Sequence, residues 1–223
     1  MPAEALGVRK GVTAVIGGGG KTTLLRTLGE ELARSGARVI LATTTKFLPF
    51  PGIETVPGGE REIAEALGRA PLVCAAAPWG ESGKLAESPV PMARLAALAD
   101  YVLVEADGSA GLPLKAHAPH EPVIPAESGR VILVVGASGF GRPVREAAHR
   151  PGRYAQLAGC DIETAVTPEI AARVLRAEGL GDLVLANQAE TPEAREMARK
   201  MAESLPLPVW AGSLRRGEIV CVS

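Results

Sequence analysis

The stretch Gly17-Gly18-Gly19-Gly20-Lys21-Thr22-Thr23 constrains the fold more than any other part of the chain. It joins an apolar run, Thr13-Ala14-Val15-Ile16, to a segment where Leu25, Leu28 and Leu32 recur at helical spacing. A strand that passes into a helix through consecutive glycines lets backbone N–H groups converge on one point. The helix N-terminus adds the positive end of its dipole there. Lysine at this place supplies a mobile cation for outer phosphates, and the hydroxyl after it is a ligand for Mg²⁺. The pattern is the short form G-x-x-G-K-T-T; the longer G-x-x-x-x-G-K-[ST] needs glycine where Val15 stands. Gly17, Gly18, Gly19, Gly20, Lys21, Thr22 and Thr23 are thus expected to hold a nucleoside triphosphate, ATP or GTP, together with Mg²⁺.

The remainder of the chain alternates between strand and helix patterns. Strands are predicted at 12–16, 38–42, 72–76, 101–104, 131–135 and 183–186, with short ones at 209–211 and 219–222. Helices are predicted at 22–35, 61–69, 92–99, 168–178 and 192–204. The alternation predicts an α/β fold: a doubly wound, mostly parallel sheet in a three-layer sandwich of the P-loop NTPase kind. With 47% hydrophobic but only 3% aromatic residues, the core must be aliphatic, as suits strands buried on both faces. No segment has linker composition, so a single domain over 1–223 is expected. The Pro- and Gly-rich stretches 49–59, 78–91 and 112–125 read as ordered loops that carry the site. A formal net charge of −1 without a basic run gives no electrostatic footprint for nucleic acid. No apolar stretch approaches the ~20 residues of a membrane span. Cys74, Cys160 and Cys221 have no metal-binding spacing and read as reduced, mostly buried thiols of a cytoplasmic protein.

In open α/β sheets ligands gather at the carboxyl ends of the strands. After the second strand come Thr43, Thr44, Thr45 and Lys46, expected either to contact a γ-phosphate or Mg²⁺ or to form a strand end with an exposed lysine. After Tyr101-Val102-Leu103-Val104 come Glu105 and Asp107, spaced so that both point to one side of an extended segment. They are candidate metal ligands with Thr22, and Asp107 is also a candidate base; the alternative is an Asp-Gly surface turn. In the proline-stiffened stretch beyond them, Lys115, His120 and Glu121 are expected to face the terminal phosphate or a second substrate. His117, His120 and Glu121 have weak zinc-site spacing, and His117 also reads as a surface histidine. Asn187-Gln188-Ala189-Glu190 is similar to the N-K-x-D element that reads guanine in GTPases, with Asn187 placed to brace the glycine loop. The alternative there is a strand end followed by a helix cap.

The blocks G-G-G-G-K-T-T, T-T-T-K, V-E-A-D-G-S, P-L-K-A-H-A-P-H-E-P-V-I-P and H-R-P (149–151) together resemble the selenium-dependent hydroxylase accessory proteins, the YqeC-like family. The likeness runs over nearly the whole chain, and E-A-D-G and H-E-P-V-I-P are its specific parts. It implies a role in maturing selenium-dependent molybdenum hydroxylases, with such a hydroxylase or its maturation factors as partners. The short glycine loop, the threonines and Glu105 are also similar to the central domain of the Mur ligases, where ATP activates a carboxylate. The chain looks too short for their further substrate domains, so hydrolysis or phosphoryl transfer is expected before ligation. A small-molecule kinase or ligase and a non-hydrolysing nucleotide switch are the alternative expectations. Lys21, Lys46, Asp107, Lys115, His120 and Glu121 are the expected catalytic set.

Overall fold

A computed structural model describes residues Met1–Ser223. The chain forms two compact units: Met1–Val15, Thr22–Gly108 and Val123–Val131 make up the first, and Ile16–Lys21, Ser109–Pro122 and Ile132–Ser223 the second.

The first unit contains α1 (Pro2–Ala5), most of β1 (Gly11–Gly17) and of α2 (Lys21–Arg34), then β2 (Val39–Thr43), β3 (Thr55–Val56), α3 (Glu60–Arg69) and β4 (Leu72–Ala75). The hairpin β5 (Ala77–Trp79) and β6 (Lys84–Ala86), α4 (Met92–Leu98) and β7 (Tyr101–Glu105) come next. Its strands run β1-β7-β2-β4-β3, all parallel. One face, bearing Ile40, Ala42, Val73, Val102 and Val104, packs on Ile63 and Leu67 of α3 and Leu95 of α4. Neighbouring residues point the other way, as strand pleating requires. On that side α2 lies so close that a Cβ at Gly29 would stand 3.0 Å from Leu72 Cδ1 and 3.1 Å from Leu41 Cδ2. Helices on both faces explain why β2 is buried along its whole length. In register, Glu105 is the partner of both Val15 and Thr43, so β1, β7 and β2 end side by side.

The second unit contains β8 (Leu114–Lys115), the end of β9 (Ser128–Gly136), α5 (Val144–Ala147), β10 (Ala148–His149), α6 (Pro151–Ala158) and α7 (Pro168–Glu178). It finishes with β11 (Leu183–Asn187), α8 (Pro192–Ala202), β12 (Val209–Ser213) and β13 (Glu218–Cys221). Here β9, β11 and β12 are parallel neighbours and β13 closes the edge antiparallel. β8 and β10 form a separate parallel pair. Helices α7 and α8 each begin with proline after a capping threonine. Thr167 Oγ1 accepts from Ile170 N–H at 3.3 Å and Thr191 Oγ1 from Ala194 N–H at 3.2 Å.

The expected parallel α/β organisation holds in both units. Differences lie in α1, α5, β10 and α6, none of which was predicted, and in the stretches read as loops. Residues 78–91 contain most of the β5–β6 hairpin, and 112–125 contain β8. Proline, glycine and strands of two or three residues leave no periodicity to read. No helix is long and apolar enough to cross a membrane.

Leu103, wholly buried at the centre of β7, tests the aliphatic core. Leu103→Ala is expected to destabilise the protein by about 2–5 kcal/mol. Val220→Ala, at a half-exposed position on β13, should stay within about 0.5 kcal/mol of wild type. Urea unfolding of both variants checks the difference.

Candidate functional site

The glycine loop is shaped from behind by other segments of the second unit. Gly18 N–H donates to Val134 O at 2.9 Å and Gly19 N–H to Leu112 O at 3.0 Å. Gly19 (φ +78) and Gly20 (φ +128) have backbone conformations that favour glycine. A Cβ on Gly19 would strike the Gly136 backbone, and one on Gly20 the Asn187 amide. Asn187 is buried; its Nδ2 donates to Gly19 O at 2.8 Å and its Oδ1 accepts from Leu214 N–H at 3.0 Å. Asn187 thus ties the glycine loop to the turn after β12. Lys21, also buried, donates from Nζ to Gly17 O at 2.7 Å and to Ser109 Oγ at 3.0 Å. Ser109 was not among the expected site residues, although it belongs to the E-A-D-G-S block that starts at the end of β7.

The next residue, Thr22, belongs to the first unit and opens its acidic half. Thr22 Oγ1 donates to Glu105 Oε2 at 3.0 Å. Glu105 is 6% exposed and Asp107 is fully buried. The first turn of α2 carries no acidic residue, so nothing on the helix itself offsets its dipole. Thr43 Oγ1 donates to Glu105 O at 3.0 Å and accepts from Thr45 N–H at 3.0 Å, while Thr44 Oγ1 donates to Val123 O at 2.7 Å. These hydroxyls order the strand ends. Lys46 is exposed and its ammonium sits 3.6 Å from the centroid of the Trp79 ring on β5. No group of three or more His, Cys, Asp or Glu side chains converges as a metal cage. The Thr22 hydroxyl and the buried Glu105 carboxylate that it bonds instead fit Mg²⁺, which usually completes its shell with phosphate oxygens and water.

In the second unit, Lys115, Glu121 and Arg150 come together. Lys115 Nζ lies 2.8 Å from Glu121 Oε2, and Arg150 grips the same carboxylate with two nitrogens at 2.6 and 3.0 Å. Burial pushes the Glu121 carboxyl up, but the hydrogen bonds from Arg150 and Lys115 outweigh it and hold it at about 2. Arg150 adopts a left-handed backbone (φ +61) directly before α6. His120 is exposed. His117 is buried, not a surface residue: its N–H donates to Glu178 Oε1 at 2.6 Å and its ring Nδ1 lies 2.8 Å from Glu178 Oε2. Gly17, Lys115, His117 and Glu178 help line a cavity of about 10 Å³, room for a single water, so this region is a packed backing to the loop. Of the cysteines only Cys74 is buried, and burial pushes its thiol up to about 12. Cys160 is half-buried and Cys221 exposed on the edge strand β13, which corrects the expectation of mostly buried thiols.

The family model described as YqeC protein matches residues 13–152. A protein of Escherichia coli (strain K12) described as "Uncharacterized protein YqeC" is 37% identical over 158 residues, 68% of this chain and 62% of that protein. The chain thus spans less than two thirds of that relative's length. Among solved structures, FtsY from Mycoplasma mycoides is similar with a TM-score of 0.50 and 12% identity, over 97% of this chain and 64% of that one. Hydrogenase Maturation Factor HypB from Archaeoglobus fulgidus has a TM-score of 0.44 and 12% identity, over 97% and 88%. At this identity the FtsY likeness speaks for the fold alone.

Glu121 supplies a test of the backing. Its folded pKa lies below the usual 4.5, so its contribution to stability is present above that pH and fades as pH falls toward about 2. Glu121→Gln leaves Lys115 and Arg150 without their carboxylate and should lower the melting temperature at pH 7. The gap to wild type should narrow as pH falls below about 4.5. Thermal melts from pH 7 to pH 3 check it.

Proposed function

Because the chain belongs to the YqeC family, we propose that it is a Mg²⁺-dependent P-loop protein that binds and hydrolyses a nucleoside triphosphate. On this reading it acts in the cytoplasm as an accessory to the maturation of selenium-dependent molybdenum hydroxylases. The observation that carries the nucleotide reading is the bond from Thr22 Oγ1 to Glu105 Oε2 at 3.0 Å, one residue after the loop lysine. It joins a phosphate-loop hydroxyl to a buried strand-end carboxylate, the pair of oxygens a phosphate-bound Mg²⁺ needs. The maturation role is supported by the family's blocks V-E-A-D-G-S and P-L-K-A-H-A-P-H-E-P-V-I-P in this sequence.

Each group of residues has its own part in this chemistry. The N–H groups at the start of α2 point to the outer phosphates, and Lys21 moves from Gly17 O and Ser109 Oγ to neutralise their charge. Thr22 and Glu105 hold Mg²⁺, with Asp107 beside them as second carboxylate or base. Bound Mg²⁺ draws charge from the phosphate oxygens. Lys115, Glu121 and Arg150 act from behind by fixing the segment that shapes the loop. A second reading, phosphoryl transfer to a small acceptor, is favoured by Lys46 resting on the half-exposed Trp79 ring: a planar, anionic acceptor suits that pair.

Calorimetric titration of ATP and GTP with and without Mg²⁺ tests the proposal. Wild type is expected to bind one of them only with Mg²⁺. Lys21→Ala removes a charged contact of ~1.5–3 kcal/mol and should weaken binding roughly ten- to hundredfold. Glu105→Gln should abolish the Mg²⁺ dependence. Unchanged affinity in Lys21→Ala would sink the nucleotide reading.

A further inference from the structure

Glu190 has no part in holding phosphate or metal. It stands between Asn187, where β11 ends, and Thr191, the cap of α8, and it is half-buried. The hydroxyl of Ser213, itself wholly buried at the end of β12, donates to Glu190 Oε1 at 2.7 Å. That bond fixes the carboxylate, while Oε2 forms no hydrogen bond or ion pair within the protein. A carboxylate held in place by a buried neutral donor, with its other oxygen unused by the protein, is positioned to accept hydrogen bonds from a ligand.

Its neighbours tie it to the glycine loop. Asn187 bonds Gly19 O with one end of its amide and Leu214 N–H with the other. Ala189 N–H donates to Gly212 O at 2.9 Å, locking the segment after β11 onto β12. In the turn after Ser213, Arg216 N–H donates to Ser213 O and Gly217 N–H to Leu214 O, whereas Arg215 N–H is not used. Gln188 is turned aside: its φ is +63 and its Oε1 accepts from Ser138 Oγ at 2.5 Å.

We infer that Glu190 and the Ser213–Gly217 turn form a nucleobase subsite that selects guanine; the inference rests on the reading of the chain as a nucleotide-binding protein. An ionised carboxylate only accepts hydrogen bonds. Guanine offers it two adjacent donors, N1–H and the exocyclic N2 amine, and presents O6 as an acceptor for a backbone N–H such as that of Arg215. Adenine presents the opposite pattern, a bare N1 acceptor where Glu190 needs a donor and an N6 amine where the turn offers a donor. Placing two acceptors face to face leaves both unsatisfied, and such a mismatch discriminates more strongly than a lost contact.

Calorimetry with GDP, ADP and xanthosine diphosphate, each with Mg²⁺, on the full chain tests this. Wild type is expected to bind GDP at least about tenfold more tightly than ADP. Glu190→Gln keeps the shape but turns one acceptor into a donor. It should erase the preference for GDP and favour xanthosine diphosphate, which carries a carbonyl where guanine has the N2 amine. Ser213→Ala unfastens the carboxylate and should weaken GDP with little change for ADP. Equal affinity of wild type for ADP and GDP, or a GDP preference that survives Glu190→Gln, overturns the guanine assignment and leaves phosphate binding standing. Failure of wild type to take any of the nucleotides overturns nucleotide binding and the subsite together.

Discussion

A buried carboxylate at the end of β7 organises the acidic half of the site. Glu105 is 6% exposed, and the register puts Val15 and Thr43 on either side of it. A charge this deep must meet hydrogen-bond donors or a cation. Thr22 Oγ1 reaches the carboxylate itself, while Thr43 Oγ1 and Thr44 N–H use the Glu105 carbonyl. The three strands must therefore end level with one another, and α2 must begin where it does for Thr22 to face Glu105. The aliphatic packing of β2, β7 and α3 supplies the stability; Glu105 dictates where the strands stop.

The glycine loop obeys a different logic. Its fit comes from backbone meeting backbone: Val134 O and Leu112 O take the N–H groups of Gly18 and Gly19, and Gly136 stands where a side chain on Gly19 would go. Leu112 and Pro113 are held in turn by contacts on and just beyond them. Gly136 N–H donates to Pro113 O, His117 is clasped twice by Glu178, and Lys115 and Arg150 share Glu121. A loop so rich in glycine has little stiffness of its own. The proline-stiffened segment and its part-buried Lys115–Glu121–Arg150 cluster supply it from outside.

Much of this was legible in the sequence because it is local. The glycine loop, the aliphatic strands and the strand-end acids all announce themselves within a few neighbouring residues. What escaped is pairing over distance. Nothing near Lys46 points to Trp79, nothing near Glu121 to Arg150, and nothing near His117 to Glu178 on α7, so a surface histidine turned out to be buried. The hairpin β5–β6 was hidden by Pro78, Gly80 and Gly83, which read as loop although they belong to a short antiparallel pair and its turn. The chain passes between the two units inside β1, α2 and β9 and also at Gly108–Ser109 and Pro122–Val123, places that no linker composition marks.

Asn187 shows how one side chain couples the two demands on the second unit. It must donate to Gly19 O and accept from Leu214 N–H at once. An amide carries a donor and an acceptor on one rigid plane, close enough together to serve both groups. Aspartate would set a lone pair against the Gly19 carbonyl, and serine is too short to span both groups. Glutamine adds a methylene and a torsion, which loosens whatever it joins. The last residue of strand β11 thus makes the shape of the phosphate loop and the position of the turn after β12 a single property. Any ligand group held by that turn is carried at a set distance from the loop, and this is why a base-selecting carboxylate belongs on Glu190, three residues further along the same segment, and not on a mobile surface loop.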